Sequence, residues 1–281
     1  LVACDLHPDY ASTRIAQEMR LPLVAIQHHH AHFASVLAEH AIQSPALGFI
    51  WDGTGYGEDG TIWGGETLFG TVSASKRIGH ILPFRLFGGE AAVHEPWRVA
   101  LSVCKETLGR EAALRLFTPR ANEAALLLQA ADAGLNSPVT SSMGRLFDAI
   151  AALCGLRETV SYEGQAAIAL EQIADESEQE SYQFSIVREP DGWIYDWRSV
   201  VRGVILDAAS GVSPGRISMR FHRALANLLV EAAKLHREET GCNIVALSGG
   251  CFQNELLLRL CVTELTNSGF TVLINRLVPC N

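Results

Sequence analysis

Residues 46–57 read Ala-Leu-Gly-Phe-Ile-Trp-Asp-Gly-Thr-Gly-Tyr-Gly, an apolar run that ends at an acid and continues into glycine-rich sequence. A short apolar run of this kind predicts a buried strand. A carboxylate at a strand's end, followed by small residues, lets backbone N–H groups approach phosphate oxygens while the acid reaches a metal. The candidate nucleotide-contacting residues here are Asp52, Gly53, Thr54, Gly55, Tyr56 and Gly57. A glycine-rich hairpin entry is the plainer alternative, and no lysine follows as in a P-loop.

Four histidines lie within five positions upstream, in the segment Gln27-His28-His29-His30-Ala31-His32. The segment begins a predicted helix directly after a predicted strand, so His28 and His32 lie one turn apart on the same face. Two imidazoles at this spacing can bind one cation, and Asp52 would complete a ligand set that suits Fe(II), Zn or Mn. A solvated polar cluster at a helix start is the alternative. His29 and His30 point elsewhere on the helix and are candidates for contact with the substrate or with the metal ligands.

A second glycine turn, Ser248-Gly249-Gly250, lies between a predicted strand and a predicted helix, where the helix N-terminus favours an anion. A strand-to-helix turn without a ligand is an equally ordinary reading of this turn alone. Together with residues 52–57 it predicts two halves that enclose one polyphosphate. Between the two turns, Asp148 is a candidate acceptor for ribose hydroxyls, and a solvent-facing helix residue is the alternative.

The remaining pattern alternates between strands and helices and predicts an α/β protein with two lobes, which we place at residues 1–93 and 94–281. A polar hinge is expected at 176–180 and hairpins around 59–60 and 182–195. Strands are predicted at 1–4, 23–26 (buried), 46–51, 243–247 and 270–274, and helices at 10–20, 28–41, 219–240 and 254–265, with a broken helical region at 94–155 and a further helix after residue 164.

Composition excludes several classes of function. The 281 residues are 48% hydrophobic, carry a formal net charge of −9 and contain no clustered lysines or arginines, which makes a nucleic-acid partner unlikely. Seven scattered cysteines without a CxxC pair suit a reducing cytoplasm. No apolar stretch is long enough to span a membrane. The chain starts without Met and stops shortly after a strand, so we expect it to be a piece of a longer protein.

Taken together, the motifs resemble the C-terminal Kae1-like domain of the HypF carbamoyltransferases of [NiFe]-hydrogenase maturation, nearly from end to end. The segments that carry the resemblance are 2–10 (Val-Ala-Cys-Asp-Leu-His-Pro-Asp-Tyr), 28–32, 52–57, 95–98 (Glu-Pro-Trp-Arg), 141–148, 162–165 (Tyr-Glu-Gly-Gln) and 248–254. The resemblance implies the actin-like, sugar-kinase-like ATPase (ASKHA) fold, with two lobes around a nucleotide cleft. Carried over by position, the metal ligands are His28, His32 and Asp52, the phosphate loops are 53–57 and 248–250, and Asp148, Gly164 and Asn254 lie near the nucleoside. The family's remaining metal-binding Asp follows an Asn-Asp-Gly pattern, and this chain stops at Asn281, one residue before it.

The resemblance also implies a reaction. In the family, a YrdC-like domain of the same parent chain joins carbamoyl phosphate and ATP into carbamoyl adenylate. The Kae1-like domain then passes the carbamoyl group to the C-terminal cysteine thiol of HypE and releases AMP. The implied cofactors are ATP or carbamoyl adenylate and a divalent metal, with Mg²⁺ possible beside the nucleotide. His29 and His30 are the nearest candidates for a base that accepts the thiol proton.

Three other functions remain open at this stage. A tRNA threonylcarbamoyl transferase shares the fold, the paired histidines and the glycine loops, but a tRNA-binding protein should have a clustered basic face. A small-molecule O-carbamoyltransferase of the same fold fits the motifs about as well as the tRNA enzyme does. A nucleotide-binding regulatory module without catalysis is the alternative that is not an enzyme.

Overall fold

The computed structural model describes residues 1–281, and its strands form a two-stranded and a nine-stranded sheet. The strands are β1 (Val2–Asp5), β2 (Leu23–Ile26), β3 (Ala46–Tyr56), β4 (Ile62–Gly70), β5 (Ser75–Ile81), β6 (Phe84–Arg85), β7 (Val139–Thr140), β8 (Ser185–Glu189), β9 (Gly192–Asp196), β10 (Ile244–Ser248) and β11 (Thr271–Ile274). The large sheet has the order β11-β10-β3-β4-β5-β9-β8, with β6 and β7 paired beside β4. β10 is parallel to β3 and β11, whereas β3, β4 and β5 are antiparallel neighbours. β1 and β2 form the small parallel sheet.

Eleven α-helices cover these sheets. They are α1 (Ala11–Glu18), α2 (His28–Glu39), α3 (Ala91–His94), α4 (Pro96–Leu108), α5 (Arg110–Leu116), α6 (Ala121–Asp132), α7 (Met143–Leu153), α8 (Gln165–Gln172), α9 (Arg198–Ala209), α10 (Pro214–Thr240) and α11 (Glu255–Asn267). Two short 3₁₀ turns lie at Thr118–Arg120 and Gly250–Gln253. No helix is both long enough and apolar enough to cross a membrane.

Local sequence explains where the helices that frame the site begin and end. The Gln27 side chain accepts the backbone N–H of His30 at 2.8 Å and caps the start of α2. α10 is capped by Ser213, carries Pro214 in its first turn, and ends at Gly241 in the left-handed conformation. These are the residue types that favour helix starts and ends. The two helices thereby have defined ends beside the central strands.

β3 lies at the centre of the molecule and is buried on both faces. Phe49 and Trp51 face the main core with α7 and α10, whereas Ile50 packs with α2 on the opposite face. Gly48 lies directly under the Phe33 ring, where an added Cβ would be 2.4 Å from the ring, so this glycine lets α2 pack close to the sheet. Burial on both faces explains why the 46–51 run is continuously apolar and does not alternate.

The α/β alternation predicted from the sequence is confirmed in most elements, three predictions need correction, and some elements were missed. β2 is a strand but is not buried, because Leu23 and Val24 are 39% and 43% exposed in the two-stranded sheet. Residues 176–180 are not a free hinge, because Glu178 is buried and pairs with arginines of α10. Helix α9 and strands β5, β6 and β7 were not predicted. β3 does not stop before Asp52 but continues to Tyr56 through an irregular register.

The lobe boundary at residue 93 stays a prediction. Strands from both sides of it pair in the nine-stranded sheet, since β10 lies beside β3 and β9 lies beside β5. The sheet therefore joins the beginning and the end of the chain. This connection brings residues near 52 and residues near 250 together.

Candidate functional site

The structure brings His28, His32 and Asp52 together in one cluster. The Nε2 atoms of the two histidines lie 3.2 Å apart, and each lies 3.3 Å from Oδ2 of Asp52. The histidines occupy the first two turns of α2, and the carboxylate extends from the centre of β3. Helical spacing and the packing of α2 on the sheet thus place three potential ligand atoms in a near-equilateral triangle.

Asp5 sets the protonation of His28. Oδ2 of Asp5 lies 2.7 Å from Nδ1 of His28, and a carboxylate can only accept, so Nδ1 carries a hydrogen. Nε2 is then the atom that binds a metal when the ring is neutral, or donates to Asp52 when the ring is protonated. The backbone N–H of His7 donates to the other oxygen of Asp5 at 2.7 Å and holds that carboxylate in place. A carboxylate–histidine pair of this kind orients ligands at metal centres.

The cluster suits a divalent cation. The lone pair of His28 Nε2 faces a carboxylate oxygen, an arrangement that is repulsive unless a cation or a proton lies between the two atoms. A tetrahedral ion with bonds of about 2.0–2.1 Å holds its ligand atoms about 3.3 Å apart, which matches the observed edges. Burial opposes charge on Asp52, but hydrogen bonds to His28 and His32 outweigh it and hold the pKa of this carboxyl well below its usual range. Asp52 is therefore ionised and able to bind a metal.

A cavity of about 350 Å³ adjoins the cluster. Asp52 belongs to both, because its Oδ2 faces the histidines while its Oδ1 accepts the backbone N–H groups of Gly53 at 2.7 Å and Gly250 at 3.2 Å. The predicted nucleotide-contacting residues that line the cavity are Asp52, Gly53, Asp148, Gly164, Gly250 and Asn254. Lining residues that the sequence interpretation did not assign include Arg145, Glu163, Glu171, Gln253 and Asn281.

Six predicted nucleotide-contacting residues do not line the cavity, and their contact with a nucleotide stays a prediction. They are Thr54, Gly55, Tyr56, Gly57, Ser248 and Gly249. An added Cβ at Gly55 would lie 2.4 Å from the His29 ring, and one at Gly57 would lie 2.3 Å from Trp63. Because β3 runs on beside α2, these glycines serve close packing of strand and side chains, whereas the predicted phosphate loop assumed that the strand ended at Asp52.

His29 and His30 also lie away from the cavity. His29 is fully buried, its Nδ1 lies 3.3 Å from Nε2 of Gln27, and burial lowers the pKa of its imidazole to about 3. His30 turns to the other side of α2, where Nδ1 lies 2.8 Å from Oγ of Ser75. Neither histidine lines the cavity, and a role for either as the base stays a prediction.

Arg145 and Asp148 form a buried ion pair on the cavity wall. Nη1 of Arg145 lies 3.0 Å from Oδ2 of Asp148, and both side chains are less than 5% exposed. Glu163 approaches the other guanidinium nitrogen at 3.6 Å. Asp148, the predicted acceptor for ribose hydroxyls, is thus buried, and the alternative of a solvent-facing helix residue does not hold. Its carboxylate is already paired with Arg145.

Asp148 is expected to titrate near pH 6, because burial raises the pKa of its carboxyl to about 6 despite the opposing effect of Arg145. The proton is held in the folded state between pH 4 and 6 but lost from the unfolded chain, so this carboxyl lowers the stability by about 3 kcal/mol as pH rises through that window. Infrared difference spectra of ¹³C-aspartate-labelled protein should show a protonated carboxyl band that disappears near pH 6 and is missing in Asp148→Asn. A midpoint near pH 4 would contradict the expectation.

The sequence does not indicate a role for residues 90–98, and in the structure residues 94–98 anchor the loop that lines the cavity. Two backbone hydrogen bonds join residues 94–97 to residues 158–160. Within the segment, the Glu95 carboxylate accepts from Nε1 of Trp97 at 2.8 Å and from Nε of Arg98 at 2.9 Å. A few residues further on, the same loop carries Glu163 and Gly164 into the cavity wall.

The end of helix α2 holds the C-terminal segment beside the same cavity. The Glu39 carboxylate accepts three backbone N–H groups from residues 276–278 at 2.7–3.1 Å. These hydrogen bonds lower the pKa of Glu39 to about 2. The carbonyl of Cys280 accepts the N–H of Gly249 at 3.0 Å, and Asn281 lines the cavity. One helix therefore carries the histidine cluster at its start and positions a cavity-lining segment at its end.

Asp5→Ala is expected to weaken divalent metal binding about 10- to 100-fold, because the His28 ring loses the carboxylate that fixes its orientation and protonation. Competition with a chromophoric chelator measures the dissociation constant. Asp9→Ala is the matched control, since the Asp9 side chain is 75% exposed and pairs only with Arg14 on the surface. Equal metal affinity in the two variants would show that Asp5 does not support a metal site.

Comparison with known proteins supports this interpretation of the fold and identifies the family. The family model described as the HypF Kae1-like domain matches residues 1–39, and the model of the carbamoyltransferase Kae1-like domain, second subdomain, matches residues 48–281. Carbamoyltransferase HypF of Synechocystis sp. is 39% identical over the whole chain, which spans 38% of that protein. A HypF homolog of Cupriavidus necator is 38% identical over 99% of the chain, which covers 74% of that protein.

Solved structures of HypF proteins match the whole chain as well. A crystal structure of full-length HypF in the phosphate- and nucleotide-bound form superposes on the whole chain with a TM-score of 0.95 at 41% identity, and the chain covers 37% of it. HypF of T. kodakarensis superposes with a TM-score of 0.88 at 31% identity, with 38% of that chain covered. The fold and site thus define an α/β protein of the actin-like, sugar-kinase-like class, as predicted. Within that class, the chain belongs to the HypF carbamoyltransferase family and corresponds to its Kae1-like domain. It spans well under half the length of most of the curated relatives that it matches.

Proposed function

We propose that this chain transfers the carbamoyl group of carbamoyl adenylate to the C-terminal cysteine thiol of a HypE-like protein, with release of AMP, in the synthesis of the cyanide ligand of [NiFe]-hydrogenases. The observation that carries the proposal is the double role of Asp52. One oxygen of this carboxylate belongs to the histidine cluster, and the other organises two backbone N–H groups at the cavity wall. A cation and the phosphate end of a nucleotide would therefore meet at Asp52.

The charge of the cavity supports the need for a cation. Four carboxylates line it, those of Asp52, Asp148, Glu163 and Glu171, against the single guanidinium of Arg145. A nucleotide phosphate would be repelled by this wall unless a positive ion accompanied it. His28, His32 and Asp52 would hold that ion, which would stabilise charge on the leaving phosphate as a Lewis acid.

The transfer itself requires positioning more than a protein nucleophile. The acceptor sulfur attacks the carbonyl carbon, the bond from that carbon to the phosphate oxygen breaks, and AMP leaves with the oxygen while the thiol proton passes to solvent. Arg145 is the cavity's cationic side chain and would hold the phosphate end of the adenylate. Binding both reactants in one orientation supplies much of the rate enhancement in reactions of this kind.

The wider setting is also part of the proposal. A YrdC-like domain of the parent chain would supply carbamoyl adenylate from carbamoyl phosphate and ATP, and Mg²⁺ would accompany the nucleotide there. The full-length HypF structure that matches this chain is in a phosphate- and nucleotide-bound form, which supports a nucleotide ligand for the parent protein. The cysteine usage agrees with work in a reducing cytoplasm.

The test uses the full-length protein with carbamoyl phosphate, ATP and either a HypE-like protein or tRNA as acceptor. AMP release and a gain of one carbamoyl group on the HypE-like protein, lost when its terminal cysteine is replaced by serine, are the expected results. A parallel reaction replaces carbamoyl phosphate by threonine and bicarbonate, and modification of tRNA there, with no carbamoylation of the HypE-like protein in the first reaction, would instead identify a threonylcarbamoyl transferase. Nucleotide binding with no acceptor modified would identify a regulatory module.

A further inference from the structure

A buried histidine lies directly behind the cavity wall and is not part of the metal cluster. His222 on α10 is fully buried, and its Nδ1 lies 2.8 Å from the backbone carbonyl of Ser218. A carbonyl oxygen only accepts, so Nδ1 carries the hydrogen and Nε2 is left as an acceptor. Nε2 lies 2.9 Å from Nδ2 of Asn254, a cavity-lining residue.

The amide of Asn254 is held in one orientation from both ends. Its Oδ1 accepts the backbone N–H of Leu257 at 2.8 Å and caps helix α11. Its Nδ2 donates to His222. Turning the amide over would place an NH₂ group against an N–H donor and an oxygen against the lone pair of Nε2, so both hydrogen bonds would be replaced by repulsive contacts.

The fixed amide leaves one donor for a ligand. The second hydrogen of Nδ2 has no acceptor within the protein, whereas the rest of the amide is fully used. His222 stays neutral at physiological pH, because burial lowers the pKa of its ring to about 4. The rings of Phe147 and Phe221 pack against it. The imidazole therefore acts as a constant acceptor.

We propose that His222 is a positioning residue that presents the free N–H of Asn254 to an acceptor atom of the bound nucleotide. The proposal rests on nucleotide binding in this cavity, as in the proposed function. It assigns a purpose to a buried polar side chain that lies outside the cluster of His28, His32 and Asp52. Because His222 acts on the ligand only through Asn254, the effect of replacing His222 should depend on the presence of Asn254.

A double-mutant cycle on the full-length protein tests the inference, with AMP as the probe and calorimetry as the measurement. His222→Leu is expected to raise the dissociation constant of AMP about tenfold, the effect of one lost hydrogen bond. His222→Gln, which retains an acceptor oxygen, should restore most of the affinity. In an Asn254→Ala background, His222→Leu should have no further effect, because the donor it positions is gone.

His236→Leu is the matched control, because His236 is a second fully buried histidine on α10 that contacts Tyr195 instead of the cavity. It should leave AMP affinity unchanged. Equal effects of His222→Leu and His236→Leu, or additive effects in the cycle, would overturn the inference. If His222→Leu does not fold, Asn254→Asp replaces it. The aspartate keeps the helix cap but removes both N–H donors, so AMP affinity should fall about tenfold. Unchanged AMP affinity would overturn the inference. Absence of AMP binding by the unmodified protein would instead refute the proposed function.

Discussion

Asp52→Asn is expected to lower carbamoyl transfer at least about a hundredfold and to remove the bound metal, because it takes the one carboxylate from the ligand set. The variant should still fold. An amide NH₂ at this position can donate to the Nε2 atoms of His28 and His32, which lie 3.3 Å from the replaced oxygen, so the cluster becomes satisfied without a cation. The remaining amide oxygen can still accept the N–H groups of Gly53 and Gly250.

The measurement combines metal content, AMP release and the melting temperature with and without a chelator. Chelation should lower the melting temperature of the unmodified protein but not that of Asp52→Asn. Asp132→Asn provides the control, since Asp132 is a half-exposed surface carboxylate that pairs with Arg110. A variant that keeps its metal and its rate would exclude Asp52 from the site.

The elements that frame the site could be predicted from sequence periodicity, because burial imposes a pattern that the residues themselves display. The 46–51 run predicted β3, and its apolar character reflects helices on both faces of the sheet. The spacing of His28 and His32 predicted their convergence, since residues four positions apart share a helix face. The pairing of β3 with β10 could not be predicted from spacing, although it brings Asp52 and Gly250 together.

Asp5 shows a signal that was present but not used. It ends β1, and His28 begins α2 directly after β2, so two parallel neighbouring strands deliver both residues to the same edge. Carboxyl ends of parallel strands are where polar site residues collect. The buried pair of Arg145 and Asp148 had no such signal, because a charged residue on a helix is ordinarily exposed and only tertiary packing places this pair inside.

Glycines were the least predictable site residues, because a residue without a side chain carries no sign of the direction in which it is needed. Gly53 and Gly250 line the cavity, whereas Gly55 and Gly249 allow close packing elsewhere. A glycine that contacts a ligand and a glycine that allows close packing look the same in the sequence. Substitution can separate them, since a packing glycine affects stability and a ligand-contacting glycine affects affinity.

Gly249→Ala is expected to destabilise the protein by about 2–5 kcal/mol, from the cost of a positive-φ backbone conformation that is essentially restricted to glycine and a steric cost together. Gly249 has φ of 99°, and an added Cβ would lie 2.3 Å from the backbone oxygen of Trp51. That contact would push β10 away from β3 at the point where Asp52 meets Gly250. Thermal unfolding and soluble yield of the full-length protein measure the effect.

Gly241→Ala is the matched control, because Gly241 has φ of 70° but no atom within 4 Å of an added Cβ. It carries a left-handed backbone cost of about 1–2 kcal/mol with no steric contact. The difference between the two variants therefore measures the contact with Trp51 together with the more restricted backbone conformation of Gly249, whose ψ is 157°. If Gly249 instead contacted a phosphate, as the sequence pattern predicted, Gly249→Ala would be no less stable than Gly241→Ala. Its only loss would be in affinity for AMP. The structure predicts the opposite order, with stability lost first and nucleotide binding failing as a consequence of the displaced strand.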